Sequence, residues 1–465
     1  MTSDLHYLEL TELSRRMQNR EISPVEVTTA QLARIEALDG RLRSYAYVMT
    51  EAALTRARVA EAEIMRGESR GPLHGVPIAV KDLCWTRGVP TAAGMTIHRD
   101  FRPAEDATVV RKLYAGGAVI LGKLQLTEGA TSDYHPEIAA PVNPWNAEHW
   151  PGASSSGCGV ATAAGLCYGS LGSDTAGSIR FPSAANGVTG LKPTWGRVSR
   201  YGLFELAATL DHIGPMARSA RDCGALLGVI AGSDPLDPTA VLDPVPNYLA
   251  DLPRGLRGLR IGVDEALNTI GVDQETVESM AAVLATLRSL RAEIRPISFP
   301  DVNQIIADGF LLSSLQTAVA HEDTYPLRKS EYGPALARFI DSGRTLSGID
   351  YQKIILRRAN FGGRVAALFQ DVDLLLVPAQ SMASPTMAQF AHMTENPEAL
   401  TALLRYTLPF NMTGSPTITL PCGFAEAGTP SAFQFVGRHL DEELLVRAGH
   451  AYQVETDWHR RHPTP

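Results

Sequence analysis

Between positions 151 and 190 the chain of 465 residues is dense in glycine, serine and alanine, and this stretch restricts the folds open to it. Such a composition is typical either of a flexible linker or of a region where backbone segments approach one another closely. Linkers lack apolar residues at regular intervals, but this stretch contains Val160, Leu166, Leu171, Ile179 and Phe181. We therefore expect a packed segment inside a folded domain.

The segments around this stretch alternate between strand-like and helix-like patterns. Short apolar runs indicate buried strands, and longer amphipathic runs indicate helices. The expected strands cover 77–80, 118–121, 259–263, 372–378, 416–420 and 433–436. The expected helices cover 274–290, 302–320, 332–341, 350–369 and 441–453, and Ser23-Pro24-Val25-Glu26 is a capping box that begins an earlier one. This alternation favours an α/β fold built around one sheet.

Composition and charge exclude several classes of protein. With 42 Lys and Arg against 50 Asp and Glu, the net charge is −8, which argues against a nucleic-acid partner. No apolar run approaches the roughly 20 residues of a membrane-spanning helix, and the N-terminus lacks a secretory signal. The five cysteines form no C-x-x-C pair, as expected for free thiols in a reducing cytoplasm. We expect a cytoplasmic protein that binds neither membrane nor nucleic acid.

Several common catalytic motifs are missing from the sequence. The lysine of a phosphate-binding loop would follow Gly157, but Cys158 stands there. There is no dinucleotide fingerprint, no H-E-x-x-H, no clustered set of His and Cys ligands, and no G-x-S-x-G elbow. The sequence therefore predicts neither a metal nor an organic cofactor.

One lysine and two serine-containing loops remain as candidates for chemistry. Lys81 directly follows an apolar strand, and the loops cover 152–157 and 172–180. Each feature alone also fits a structural role, as an exposed strand end or the start of a helix. Together they fit amide hydrolysis without histidine, because a serine nucleophile needs a base and a buried lysine can be neutral enough to serve. A second serine can relay the proton, and small residues let backbone N–H groups face an oxyanion.

These loops resemble the amidase signature family, the serine hydrolases with a Ser-cisSer-Lys triad. The matching stretches are 75–82, 151–157, 172–182, 190–194, 211–215 and 407–416, so the resemblance covers nearly the whole chain. It implies a single large α/β/α domain over 1–465, with a mixed twisted central sheet covered by helices. Within this domain we expect N-terminal helices over 1–70, a signature core over 71–220, and a substrate-variable region with C-terminal strands and a helix over 221–465.

The resemblance also implies roles for individual residues. Lys81 matches the base, Ser178 the nucleophile, and Ser154 the bridging serine that follows a cis peptide bond. The implied oxyanion donors are the backbone N–H groups of Thr175, Ala176, Gly177 and Ser178. The implied supporting residues are Ser155, Asp174 and Arg180.

Some positions depart from the family pattern. Ala153, Ser156 and Ala176 stand where glycine is usual, which narrows the loops without removing a catalytic group. Gln125 stands where the family more often has Thr-Asn, which weakens inference about the substrate. We expect a substrate pocket that includes Tyr134, Gln380, Met382 and Phe410.

These residues bear on three candidate functions. The first is a serine amidohydrolase that cleaves a C–N bond of a small, neutral, apolar amide or carbamate (urethane) through an acyl-enzyme on Ser178. The alternative is the glutaminase-type component of a glutamyl-tRNA amidotransferase, but 310–350 lacks the glutamine-binding segment associated with it. A catalytically inactive binding module would need a broken triad, and all three residues are present. We expect a stand-alone enzyme, either a monomer or a homodimer.

Overall fold

An eleven-stranded mixed sheet runs through residues 3–465, which are the residues that the computed structural model describes. The strands are β1 (Tyr45–Val48), β2 (Pro77–Lys81), β3 (Val119–Leu124), β4 (Gly169–Asp174), β5 (Thr189–Lys192), β6 (His212–Ala217), β7 (Arg260–Val263), β8 (Glu293–Pro296), β9 (Leu374–Pro378), β10 (Thr417–Phe424) and β11 (Pro430–Val436). Their order across the sheet is β1-β3-β2-β4-β6-β5-β10-β11-β9-β7-β8.

The sheet combines parallel and antiparallel pairs. Strand β2 lies parallel to both β3 and β4, and β7 lies parallel to both β8 and β9. The strands between β4 and β9 pair antiparallel, and β1 adds an antiparallel edge to β3. The predicted mixed sheet is therefore confirmed.

Seventeen α-helices occur within residues 3–465. They are α1 (Leu10–Gln18), α2 (Pro24–Leu42), α3 (Thr50–Met65), α4 (Thr108–Ala115), α5 (Ser156–Ala163), α6 (Arg180–Asn186), α7 (Ala220–Ile230), α8 (Glu265–Thr269), α9 (Gln274–Ser289), α10 (Asn303–Ala320), α11 (Tyr325–Arg328), α12 (Pro334–Gly343), α13 (Gly348–Leu368), α14 (Met387–Glu395), α15 (Pro397–Leu404), α16 (Leu408–Met412) and α17 (Glu442–Glu455). The Ser23 capping box at the start of α2 is confirmed.

Glycines on β4 let structure pack closely on both faces of the sheet. A Cβ on Gly169 would lie 2.8 Å from the Leu226 side chain of α7, and one on Gly172 would lie 3.0 Å from Ser155 Oγ. Residues an odd number of positions apart on a strand face opposite sides, so α7 and the start of α5 cover opposite faces. This arrangement confirms the predicted α/β/α layering and explains the small residues of the 151–190 stretch.

No helix among residues 3–465 is long and apolar enough to cross a membrane. The five cysteines, Cys84, Cys158, Cys167, Cys223 and Cys422, are all buried free thiols.

Candidate active site

Lys81 is the last residue of β2 and is completely buried. Its Nζ lies 2.7 Å from Ser154 Oγ and 2.8 Å from Ser173 Oγ, so two serine hydroxyls hold the amine in place. Burial lowers the pKa of Lys81 to about 8, because an ammonium group is costly to remove from water. A substantial fraction of this amine is therefore neutral near physiological pH and available to accept a proton.

Ser154 lies on the loop that leads into α5, and the Ala153–Ser154 peptide bond is cis. The next residue fastens this loop to β4. Ser155 Oγ donates to the carbonyl oxygen of Ser173 at 3.1 Å and accepts from the Ser173 N–H at 3.3 Å. The Ser154 hydroxyl is thereby fixed against the end of the strand that carries Ser173.

Ser178 follows β4 and immediately precedes Ile179 and the start of α6. Its carbonyl oxygen accepts a hydrogen bond from the Ser155 N–H at 3.3 Å, which places it against the loop that carries Ser154. The side chain is half-buried, and its hydroxyl makes no hydrogen bond within residues 3–465. The structure thus brings Lys81, Ser154 and Ser178 onto adjoining segments and leaves the Ser178 hydroxyl open to a substrate.

The backbone N–H groups of residues 175–178 differ in whether they have a hydrogen-bond acceptor. Those of Thr175, Ala176 and Ser178 have no acceptor in the described part of the chain. The Gly177 N–H instead donates to Asp174 Oδ1 at 2.8 Å, so the prediction that Gly177 is an oxyanion donor needs correction. The Asp174 carboxylate, three residues earlier, occupies this N–H group, so the group is not available to an oxyanion.

Gly177 has a conformational role in this loop. Its φ is +132°, and a Cβ at this position would lie 2.4 Å from the Phe181 ring. Only glycine fits such a backbone against the aromatic ring, so this residue sets the turn that presents Ser178.

Asp174 is the centre of a buried polar network below this loop. Its carboxylate accepts hydrogen bonds from Arg180 at 2.8 and 3.0 Å, from Asn411 Nδ2 at 2.9 Å, and from the Ile179 N–H at 3.0 Å. Burial opposes ionisation, but the Arg180 guanidinium outweighs it and holds the pKa of Asp174 below its ordinary value. The network fixes the residues on both sides of Ser178, which is consistent with the supporting roles inferred for Asp174 and Arg180.

The sequence interpretation assigned no role to Ser173, Asp211 or Asn411. Ser173 contacts Lys81, and Asp211 Oδ1 accepts from Thr175 Oγ1 at 2.5 Å. Asp211 Oδ2 also accepts from the N–H groups of Leu206 and Ala207 at 2.9 and 3.0 Å, which ties the loop that begins at Thr175 to the 206–207 segment. All three residues lie in the stretches that carry the family resemblance, but their partners are set by tertiary contacts.

A second buried lysine supports the turn after Lys81. Lys123 Nζ donates to the Cys84 carbonyl oxygen at 2.6 Å and to Thr91 Oγ1 at 2.8 Å, and it lies 3.4 Å from Asp82 Oδ1. Because Asp82 directly follows Lys81, these contacts fix the backbone at the end of β2.

The four residues predicted for the substrate pocket have different environments. The Tyr134 hydroxyl donates to Ser156 Oγ at 2.5 Å. Ser156 is one of the positions where the family pattern has glycine, so its side chain adds an anchor for the Tyr134 loop. Gln380 is buried, and its Oε1 has no partner in the described part of the chain. Met382 is half-buried beside an apolar core, whereas Phe410 is only 1% exposed inside that core. Phe410 is therefore a core residue rather than an open pocket wall.

A small cavity borders Ser173, which contacts Lys81, and Thr175. Its apolar lining consists of Leu83, Ala130, Leu203, Phe204, Leu206 and Ile213, and its polar lining also includes Arg200, Glu205 and Asp211. Asp211 is occupied by three hydrogen bonds, and Arg200 lies 3.9 Å from Glu205. Lys81, Ser154 and Ser178 are not among its lining residues, and the space inside holds about one water molecule.

Comparisons with known proteins agree with this geometry. The Amidase family model matches residues 26–446. A putative amidase, AmiD, of Mycobacterium tuberculosis is 52% identical over 456 residues, which cover 98% of this chain and 96% of the relative. A glutamyl-tRNA(Gln) amidotransferase subunit of Roseiflexus sp. is 38% identical over 488 residues, with 99% and 98% covered.

Solved structures show the same fold. The peptide amidase of Stenotrophomonas maltophilia superposes with a TM-score of 0.85 at 30% identity, and 98% of each chain is covered. A 6-aminohexanoate cyclic dimer hydrolase superposes with a TM-score of 0.89 at 25% identity, and 99% of each chain is covered. With these structures and a family model that matches most of its length, the chain belongs to the amidase family, the enzymes that hydrolyse amide C–N bonds.

Proposed function

We propose that this chain is a serine amidohydrolase in which Ser178 is the nucleophile, Ser154 the proton relay and Lys81 the base. The observation that carries the proposal is the 2.7 Å contact between the buried Lys81 amine, with its lowered pKa, and Ser154 Oγ. No histidine is needed in this arrangement, since a neutral amine can accept the proton that a serine nucleophile must lose.

Acylation would proceed by a relayed proton transfer. Neutral Lys81 takes the Ser154 hydroxyl proton, Ser154 takes the Ser178 proton, and Ser178 Oγ bonds to the substrate carbonyl carbon. The oxyanion that forms faces the N–H groups of Thr175, Ala176 and Ser178, which have no acceptor among residues 3–465. The proton then returns through Ser154 to the leaving nitrogen, the C–N bond breaks, and an amine departs.

Deacylation would reverse the relay. Water enters where the amine left, and loses a proton to Ser154 as Lys81 accepts the Ser154 proton. The water oxygen bonds to the acyl carbon, the ester bond to Ser178 Oγ breaks, and Ser178 regains its proton. An amide yields a carboxylic acid. If the C–N bond of a carbamate breaks, the acyl-enzyme is a carbonate ester, whose hydrolysis releases an alcohol or phenol and carbon dioxide.

The preferred substrate in this proposal is a small, neutral, largely apolar amide or carbamate. This preference is supported by the arginines near the site, which are already engaged. Arg180 binds Asp174, Arg200 donates to Thr239 Oγ1 at 2.7 Å, and Arg358 donates to the carbonyl oxygens of Met412 and Thr209 at 2.7 and 2.9 Å. A substrate carboxylate would therefore have to displace an existing partner.

The second candidate is a glutaminase-type component of a glutamyl-tRNA amidotransferase. It is favoured by the 38% identity to an amidotransferase subunit over 99% of this chain. Glutamine carries an α-carboxylate, so this function requires one of the engaged arginines to release its partner. The 52% identity to a putative amidase instead supports a stand-alone enzyme.

A substrate panel distinguishes the two functions. We expect kcat/KM for a neutral aryl amide or aryl carbamate to exceed that for glutamine, asparagine and malonamate. Ser178→Ala, assayed in parallel, should abolish turnover of every substrate and so exclude a contaminating hydrolase. If the charged substrates are preferred by more than about tenfold, roughly 1.4 kcal/mol of transition-state discrimination, the neutral-substrate proposal is wrong.

A further inference from the structure

The hydrogen bond between Lys81 and Ser173 must run in one direction for the proposed relay to work. A neutral amine has a single lone pair, and the relay requires this lone pair to accept the proton of Ser154. Ser173 Oγ, 2.8 Å from Lys81 Nζ, must therefore accept a hydrogen from the amine. If the Ser173 hydroxyl donated to Lys81 instead, it would occupy the lone pair that the relay needs.

The hydroxyl hydrogen of Ser173 then needs an acceptor other than Lys81. Ser173 is only 5% exposed, and its Oγ makes no second hydrogen bond within residues 3–465. A buried hydroxyl that donates to nothing is costly, and this cost would drive the Ser173 hydroxyl to turn towards the lone pair of Lys81. The catalytic orientation therefore depends on an acceptor elsewhere beside Ser173.

The small cavity that borders Ser173 suits a single water molecule in size and in lining. Arg200 supplies a donor, because this residue is buried and its Nε has no hydrogen-bond partner among the described residues. Asp211 and Glu205 supply acceptors. The Asp211 carboxylate accepts three hydrogen bonds, which leaves one of its roughly four acceptor positions open. Cavities that stay dry are apolar, so a cavity with these partners should hold water.

We propose that this cavity binds one structural water, and that this water holds the Ser173 hydroxyl in the orientation that catalysis requires. The water accepts from Ser173 Oγ and Arg200 Nε, and it donates to the carboxylates of Asp211 and Glu205. Arg200 is thus a positioning residue that acts on Lys81 through the water and Ser173. The inference rests on the proposed amidohydrolase function, because that function requires the lone pair of Lys81 to face Ser154.

A high-resolution crystal structure of the full-length protein tests the water site directly. We expect one ordered water within hydrogen-bonding distance of both Ser173 Oγ and Arg200 Nε. A dry cavity, or a water out of reach of Ser173, overturns the proposal. This measurement does not depend on turnover. Failure of the wild type to hydrolyse any amide or carbamate would instead overturn the proposed function, whatever the cavity contains.

A larger side chain in the cavity tests the role of the water. Leu203 lines the cavity and is half-buried, so Leu203→Phe can fill the space of one water. Without the water, the Ser173 hydroxyl should turn to Lys81, and kcat should fall about three- to tenfold with little change in KM. Leu290, at the end of α9, is another half-buried leucine on the same core but does not line the cavity. Leu290→Phe is therefore the matched control and should leave kcat unchanged.

A double-mutant cycle shows whether the effect passes through the Ser173 hydroxyl. In the Ser173→Ala background, which has no hydroxyl to turn, Leu203→Phe should have little further effect on kcat. An equal loss of kcat in both backgrounds, or a change in KM alone, overturns the proposal. If Leu203→Phe does not fold or retains the water, Arg200→Lys replaces it in the cycle with the same expectations, since lysine keeps the charge but lacks the Nε–H donor. Thr239→Val, which removes a different partner of Arg200, is then the control.

Discussion

At the scale of single residues, the proposed mechanism depends on how much of the Lys81 amine is neutral. Burial lowers its pKa to about 8, so the ammonium form predominates below that pH and cannot accept a proton. We expect kcat/KM to rise with pH and to level off above an apparent pKa near 8, with activity at pH 6 about 100-fold below the plateau.

Two variants check the origin of this pH dependence. Lys81→Met should lower kcat/KM by several orders of magnitude. Its residual activity should no longer rise with pH around pH 8. Lys353→Met, at a lysine whose side chain is 60% exposed on α13, should leave the profile unchanged. Near-normal turnover of Lys81→Met would rule out lysine as the base.

Ser173 gives a second prediction at this scale, because its hydroxyl is one of two that hold the Lys81 amine. A hydroxyl that accepts from an ammonium stabilises the charged form, so Ser173→Ala should shift the acidic limb of the pH profile to lower pH. The looser amine should also lower kcat about tenfold or more, with little change in KM, since a reacting group held in position contributes mainly to kcat.

Ser170→Ala is the matched control for Ser173→Ala. Ser170 lies three residues earlier on β4, and its Oγ is 3.0 Å from Thr162 Oγ1, away from Lys81. We expect it to affect stability without moving the pH profile. If the pH profiles of activity of Ser173→Ala and the wild type are identical, the Ser173 hydroxyl does not affect Lys81.

The sequence was sufficient to propose the triad but not the contacts that orient it. Lys81, Ser154 and Ser178 stand out because their motifs are long and specific. Ser173 lies between the same motifs, yet its hydroxyl meets Lys81 only because β2 and β4 are neighbours in the sheet. The sequence also could not show that the Gly177 N–H is unavailable to an oxyanion. This group donates to Asp174, and the position of the Asp174 carboxylate is set by tertiary contacts.

At the scale of secondary-structure elements, a buried carboxyl group joins the loop after β3 to helix α12. Both oxygens of Glu128 accept from the Gly333 N–H at the start of α12, at 2.9 and 3.0 Å. Burial raises the pKa of Glu128 to about 7, with a small contribution from Asp133. Ala130, two residues later, lines the cavity, so this contact also supports the site.

This shift in pKa predicts a pH-dependent contribution to stability. Because the folded pKa lies above the unfolded value, Glu128 stabilises the fold fully below about pH 4.5, and this contribution is lost as pH rises to about 7. Glu128→Gln removes this titrating group. Between pH 5 and pH 7.5, the free energy of unfolding of the wild type should therefore fall by about 1–3 kcal/mol relative to that of Glu128→Gln. Denaturant unfolding at both pH values measures the difference, and parallel stabilities would show that Glu128 does not titrate with folding.

Elements with strong apolar periodicity were predicted within a few residues. The predicted helix 274–290 is observed at Gln274–Ser289, and the predicted strand 433–436 lies within Pro430–Val436. Strand β4, with the sequence GSLGSD, was not predicted, because it lacks the branched and aromatic residues that mark strands. Its small residues are required by the close approach of α7 on one face and Ser155 on the other.

At the scale of the whole molecule, the site depends on contacts between distant parts of the chain. Asn411 binds Asp174 across a separation of 237 residues, and Arg180 donates to the Thr407 carbonyl oxygen across 227 residues. Such pairs follow from the order of strands in the sheet, in which β5 lies between β6 and β10. Local patterns predict the layers of an α/β fold, whereas this order is a property of the complete structure.

The proposed mechanism requires that the chain be acylated on one serine out of three that lie close together. Ser154, Ser173 and Ser178 all lie near Lys81 or its partners, but of their three hydroxyls only that of Ser178 makes no hydrogen bond within the described residues 3–465. The assembled molecule should therefore direct an electrophile to that residue alone, through a base that is 97 residues away in the sequence.

Mapping a covalent adduct measures this directly. The full-length protein is treated with a serine-directed phosphonate at pH 8.5, digested, and analysed by peptide mass spectrometry, with Lys81→Met and Ser178→Ala in parallel. We predict stoichiometric labelling of Ser178 in the wild type, strongly slowed labelling in Lys81→Met, and none in Ser178→Ala. An adduct on Ser154 or Ser173 with Ser178 unmodified would contradict the assignment of the nucleophile and, with it, the proposed mechanism.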